Sequence, residues 1–173
     1  MRRRAFLTSA LAACAPLPAL AAGAALPPPI ARLQALPLNE SDGARTTLGA
    51  HLAPAPSVVS FWASWGAPCI AEARHLTRLR AAIGPERLNI IGINIDVPPE
   101  EADIQRFLRL TRANYTQLRG DFSTYVAFDA GAGISLPRLY LFAADGRPAA
   151  VFDRFNRAAS MEISQAVAGL LDR

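Results

Sequence analysis

Lysine is absent from the 173 residues, so every lysine-or-arginine cation of the chain is an arginine. Schiff-base chemistry through a lysine is thereby excluded. Cysteine is scarce. Only Cys14 and Cys69 occur, and Cys14 falls in an N-terminal segment that reads as an export signal. One thiol then remains for the folded domain, so no internal disulfide and no cysteine-based zinc site can form there. Net charge is small too. The formal value is +4, but Arg2, Arg3 and Arg4 supply three of those charges and the remainder nearly balances. That offers no electrostatic basis for binding nucleic acid. Histidine is limited to His51 and His75. Cys69 and His75 would lie about 9 Å apart along a helix axis, which does not suit a copper site of two close soft ligands. His51 sits in a loop with no partner motif. No metal and no cofactor are expected.

What is present describes a packed domain. Hydrophobic residues make up 51% and charged residues 18% of the chain, the balance of a globular core. The length suits one domain plus an export segment. Residues 1–22 carry a basic start and a short apolar stretch, Ala5 to Ala13, too short to span a bilayer. Arg3-Arg4-Ala5-Phe6-Leu7 resembles a twin-arginine export signal; an ordinary secretory signal is the alternative. Two processings are open. Ala19-Leu20-Ala21 is a small-x-small cleavage site that would remove Cys14. Leu11-Ala12-Ala13-Cys14 resembles a lipobox that would make Cys14 a lipidated anchor.

Residues 23–35 read as a proline- and alanine-rich linker, stiffened by Pro27, Pro28 and Pro29. The domain is placed at 36–173. Leu38 to Leu48 reads as a hairpin turned by Asp42-Gly43. Val58 to Ala63 fits a strand buried on both faces. A helix is expected over Ala67–Ile83, stopped by Gly84 and Pro85, with Ile70, Ala73, Leu76, Leu79 and Ile83 toward the sheet. Arg74, Arg78 and Arg80 form its solvated face. Leu88 to Asp96 is a second buried strand. Pro98 and Pro99 open a second helix, with Ile104, Phe107, Leu108 and Leu110 as its apolar stripe. A short strand over 115–118, a short helix over 122–128 and a loop over 130–133 follow. A strand begins directly after Pro137, turns at Asp145-Gly146 and returns antiparallel over 149–155. A closing helix over Met161 to Leu171 takes Ser160 as its N-cap. Strands alternating with helices indicate an α/β sheet covered on both faces.

Phe61-Trp62-Ala63-Ser64-Trp65-Gly66-Ala67-Pro68-Cys69-Ile70-Ala71-Glu72 runs from the first buried strand through a turn into the helix. It resembles the active-site segment of the thioredoxin superfamily, in particular the exported TlpA-like thiol-disulfide reductases, whose usual form is F-W-A-x-W-C-x-x-C-x-x-E. The resemblance covers roughly residues 36–172. It implies a thioredoxin fold with a central mixed sheet, helices on both faces and an N-terminal β-hairpin extension. It also implies a substrate face of Trp65, Pro68, Leu136 and Pro137, with Leu136-Pro137 in the position of the family's cis-proline. The domain would face the outside of the cytoplasmic membrane, in the periplasm or tethered through Cys14. Its partner would be a thiol- or disulfide-bearing client protein or redox partner.

One position departs from the pattern. Where the family carries its attacking cysteine this chain carries Gly66, and Cys69 stands in the resolving position. Two-electron dithiol exchange cannot complete within a domain that holds one thiol. Three readings stay open for Cys69. It performs monothiol exchange, with mixed disulfides resolved by an outside thiol. It is a buried small hydrophobe in a domain that binds rather than reacts. Or it is peroxide-reactive, although the match to peroxiredoxins is poor. Glu72 matches the family's glutamate and lies one turn from Cys69. It either assists proton transfer or is a surface acid favouring the helix start. His75, a turn beyond Glu72, is expected to pair with it at the surface. Ser60 stands where relatives place Asp or Asn, and Arg74 where a proline is common; both suggest relaxed redox requirements. Trp62 is assigned to the core and Trp65 to the substrate face.

Overall fold

The computed structural model describes residues 26–97, 100–129 and 133–172. The readings on the export segment, on Cys14, on Pro98-Pro99 and on residues 130–132 lie outside the described residues.

The strands are β1 (Pro37–Asn39), β2 (Arg45–Thr47), β3 (Ser57–Trp62), β4 (Asn89–Asn94), β5 (Thr116–Arg119), β6 (Arg138–Phe142) and β7 (Pro148–Phe152). The helices are α1 (Ala67–Ile83), α2 (Glu101–Thr111), α3 (Phe122–Phe128) and α4 (Arg157–Leu171). One sheet holds all seven strands in the order β2-β1-β5-β4-β3-β6-β7. β3 runs parallel to β4 with Val59 beside Ile91, and antiparallel to β6 with Ser60 beside Leu139. The sheet is therefore mixed, as expected.

β3 and β4 are central, and every residue of both is buried. Such strands are apolar throughout because helices cover both faces. Side-chain alternation sends Val59 and Phe61 to one face, where they meet Tyr125 and Phe128 of α3. Val58 and Trp62 go to the other face. Val58 meets Leu76 of α1 and Ile163 and Val167 of α4, and Trp62 meets Cys69 and Phe107. Ser60 lies between Val58 and Trp62 in the strand, so it too faces α1.

α1 has the bounds expected from its sequence. Pro68 sits in its first turn, where its missing N–H costs nothing. Gly84 ends it in a left-handed backbone (φ 96°). The β1–β2 hairpin turns at Gly43 (φ 86°), again as expected. Gly146, in the turn between β6 and β7, lets the segment at Ile30 pack closely. A Cβ there would lie 2.9 Å from Ile30 Cγ2, and Ile30 N donates to Gly146 O.

Several expectations need correction. Residues drawn into the linker pack into the core: Ile30 and Leu33 are buried beside Leu48 and Phe142. α4 begins at Arg157, not Met161. Its cap is Asn156, whose side chain accepts from Ala159 N at 2.9 Å, while Ser160 Oγ donates to Arg157 O inside the first turn. Leu110 is 42% exposed, and Thr111 takes the buried place on α2. Arg80 is only half exposed and donates to Leu88 O. β7 stops at Phe152. His51, expected in a loop, lies in a short 3-10 helix, with its Nε2 2.9 Å from Thr46 Oγ1 and 3.2 Å from Glu40 Oε1.

Candidate functional site

β3 delivers the chain to a turn at the C-terminal edge of the sheet. Ser64 N donates to both oxygens of Asp96, which follows β4, at 3.2 and 3.1 Å. Gly66 is the N-cap of α1 in an ordinary extended conformation (φ −84°, ψ 110°), and it provides no side-chain cap. The first N–H groups of α1 are thus left for an acceptor from outside the helix.

Cys69 lies one turn inside and is 1% exposed. It packs with Trp62, Ala73, Ile104 and Phe107, and Leu136 closes on the same cluster. Burial pushes its thiol up to about 12, and the nearby Glu72 and Asp96 carboxylates add to this. At neutral pH Cys69 is a protonated thiol with almost no solvent access.

Glu72 is buried, at 1% exposure, which overturns its reading as a surface acid. Ser60 Oγ donates to its Oε1 at 2.5 Å. Its Oε2 has no hydrogen-bond partner among the described residues. Burial raises its carboxyl to about 7, against the lowering effect of the Ser60 bond. The surface pair with His75 does not form. His75 Nε2 instead lies 3.3 Å from Ser164 Oγ on α4, and its ring meets Phe155. The reason is helical spacing. Cys69, Glu72, Ala73 and Leu76 form the buried stripe of α1, and His75 lies off it. Ser60 is not a vacancy left by a missing Asp or Asn, because it binds the buried acid directly. Arg74, read as a replaced proline, reaches across to α2 and donates from Nε to Leu110 O.

Trp65 and Pro68 are exposed, Trp65 at 77%. Trp65 borders a cleft of about 350 Å³ between the turn and α2, with Ile70, Arg106 and Leu110 among its lining. Trp62, as expected, is core. It stacks on Phe107 with ring centres 3.9 Å apart and donates to Gln117 Oε1. The Leu136–Pro137 bond is cis. Pro137 is buried directly before β6, and Arg138 pairs with Phe61 in register. Gly66, Cys69, Glu72, Trp65, Pro68 and the Leu136-Pro137 segment thus gather at one end of the sheet.

One pair was missed. Arg138 and Asp129 form a buried ion pair, each side chain 4% exposed. Tyr140 joins them: its hydroxyl donates to Asp129 at 3.1 Å and accepts from Arg138 Nε at 3.3 Å. The pair ties the end of α3 to the start of β6. Its sequence signal was an arginine opening the apolar run Leu139 to Phe142, since a cation in a fully covered strand requires a partner.

Compared with known proteins, the chain matches across most of its length. The fold matches a secreted disulfide oxidoreductase of Mycobacterium tuberculosis, described as homologous to E. coli DsbE. The TM-score is 0.62 at 26% identity, over 81% of this chain and 98% of that one. The chain is related to the thioredoxin-like thiol-disulfide oxidoreductases. A secreted thiol-disulfide isomerase of Corynebacterium glutamicum shares this thioredoxin fold, with TM-score 0.67, 21% identity and coverage of 82% and 86%. A curated relative, the thiol:disulfide interchange protein HelX of Rhodobacter capsulatus, is 32% identical over 90 residues, 52% of this thioredoxin-like chain. The chain spans about half the length of that relative, 47%. No protein-family model matches it.

The buried acid gives a pH prediction. The folded state holds the Glu72 proton up to about pH 7, whereas the unfolded chain releases it near 4.5. Stability from this group is therefore complete below pH 4.5 and lost as pH rises through 7. The full loss is about 3 kcal/mol. Glu72→Gln keeps an acceptor for Ser60 and cannot ionise. Above pH 7 it is expected to be more stable than the natural chain by about 3 kcal/mol, with little gain at pH 4.5. Denaturant unfolding of both proteins across this range measures the difference. An equal difference at both ends would show that Glu72 does not titrate in this way.

Proposed function

We propose that this chain is an exported thioredoxin-fold module that binds a protein client and does not itself carry out disulfide exchange. The observation that carries this reading is the state of Cys69. It is 1% exposed, with its thiol pushed up to about 12. On the reading that Gly66 holds the place of the family's attacking cysteine, no side chain above Cys69 can start an exchange. Cys69 then acts as a small apolar side chain of the Trp62–Phe107 cluster. The face around it remains suited to an extended client. Trp65 offers a large exposed ring beside an open cleft, a feature enriched at binding surfaces. The apolar stretch at residues 5–13 and the secreted relatives support export, on the twin-arginine or the general route.

The test is alkylation of the native full chain at neutral pH, read at Cys69 by peptide mass spectrometry, beside the same reaction in denaturant. Cys69 is expected to stay unmodified in the native chain and to react fully once unfolded. Insulin reduction by dithiothreitol should not accelerate when the chain is added. Native labelling of Cys69 as fast as in denaturant would overturn the reading. Its place would be taken by monothiol exchange, in which the Cys69 thiolate attacks a client disulfide, binds one sulfur and releases the other as a thiol.

A further inference from the structure

Next to the Trp65 cleft, with which it shares Leu110, an open pocket of about 520 Å³ lies where α1 passes the C-terminal end of α2 and is lined by four arginines. Arg74 and Arg78 come from α1, Arg109 from α2 and Arg112 from its C-cap. All four are exposed. Guanidinium groups gathered this way repel one another, and acids commonly separate them. None of the ion pairs among the described residues uses any of the four. Residues 1–25, 98–99, 130–132 and 173 contain no aspartate or glutamate. Helix electrostatics accounts for part of the cluster: Arg109 and Arg112 stand at the negative end of α2. It does not account for Arg74 and Arg78, which lie midway along α1.

The pocket is also partly organised. Arg74 Nε donates to Leu110 O at 3.0 Å, which holds its terminal nitrogens as a fork. Arg112 leaves the helix in a left-handed backbone (φ 51°). The neighbouring hydroxyls are already engaged. Thr77 donates to Ala73 O and Thr111 to Phe107 O. The guanidinium groups are therefore the donors this pocket offers.

We propose that this pocket binds a phosphate-bearing ligand. Several planar forks approaching from two helices suit a tetrahedral group with three or four charged oxygens. A single carboxylate takes one fork bidentately. The site is distinct from the Cys69 end of α1, from which Arg74 and Arg78 are about 8 to 14 Å distant along the axis.

The experiment uses the full chain with three probes: inorganic pyrophosphate by calorimetry, vesicles of phosphatidylglycerol in phosphatidylcholine by sedimentation, and a hexaglutamate peptide. The variant Arg78→Gln with Arg109→Gln removes two donors and leaves the Arg74 tether and the Arg112 cap. Arg154→Gln is the control, an exposed arginine outside the pocket. Both proteins keep Arg2, Arg3 and Arg4, so binding through those residues is common to them. The double variant is expected to bind a phosphate probe about tenfold or more weakly than the control. Pyrophosphate binding identifies a free phosphate compound as the source; binding to vesicles alone identifies a lipid headgroup. The proposal is overturned if neither phosphate probe binds at low salt, or if the double variant matches the control. It is also overturned if hexaglutamate binds as tightly as the phosphate probes, which would assign the pocket to an acidic peptide.

Discussion

Gly66→Cys is expected to close a disulfide with Cys69 and to raise disulfide reductase activity above that of the natural chain. A Cβ placed on Gly66 lies 3.5 Å from Cys69 Cβ and 2.9 Å from Cys69 Sγ. The first separation falls in the range of disulfide-bonded cysteines, about 3.5–4.5 Å. The second is the spacing of a Cβ from the far sulfur of its own disulfide, roughly 3 Å, because one sulfur separates them. The Gly66 backbone (φ −84°, ψ 110°) accepts any L-residue. No backbone movement is needed. The new thiol would stand at the start of α1, where the unpaired N–H groups favour its thiolate. That thiolate attacks a client disulfide, forms a mixed disulfide and releases one client thiol. Cys69 loses its proton, attacks the sulfur of residue 66 and releases the second client thiol. The protein is left as the intramolecular disulfide, which dithiothreitol reduces.

The measurements are peptide mass mapping of the oxidised variant and insulin reduction by dithiothreitol. Turnover about tenfold or more above the reductant alone is expected, since both thiols of the exchange are then present. Two free thiols at residues 66 and 69 after oxidation would show that the Gly66–Cys69 geometry is not the one described. A disulfide without turnover would show that the client face is missing. Gly66→Ala is the opposite case. Its methyl meets the same sulfur at 2.9 Å without a bond, and a loss of about 1–2 kcal/mol is expected.

Asp129→Ala is expected to cost about 3–5 kcal/mol, because it leaves the buried Arg138 guanidinium without its carboxylate. Tyr140 offers Arg138 a neutral acceptor but no countercharge. The double variant Asp129→Leu with Arg138→Met should recover most of the loss, since apolar side chains of similar volume avoid the desolvation of both charges. Denaturant unfolding of the natural chain, the single variant and the double variant gives the comparison. A single-variant loss below about 1 kcal/mol, the range of an exposed pair, would rule out a buried ion pair.

Local rules carried much of the fold. Pro68 and Gly84 bracket α1, Asp42-Gly43 turns the first hairpin, and the apolar runs of β3 and β4 mark strands covered on both faces. These signals are written in neighbouring residues, so they can be read without the tertiary structure. The end of the sheet that gathers Trp65, Cys69 and Pro137 was legible for the same reason, since each lies at the boundary of a recognisable element. The start of α4 was not. Asn156 and Ser160 are both acceptable caps, and only the approach of Ala159 N to Asn156 distinguishes them.

What the sequence by itself determined is that Cys69 is the one cysteine within residues 36–173 and that residue 66 has no side chain. Within residues 36–173 no second thiol is available to close a disulfide with Cys69. Whether the remaining thiol is accessible was decided by tertiary structure. Cys69 and Glu72 share the buried stripe of α1, and Trp62, Phe107 and Leu136 come from three other segments to pack around Cys69. Ser60 and Glu72 stand 12 residues apart and meet because β3 alternation and the helical turn aim both at the same interface. Desolvation depends on everything packed around a group, and for that reason the protonation of Cys69 and Glu72 could not be read from their neighbours in the chain.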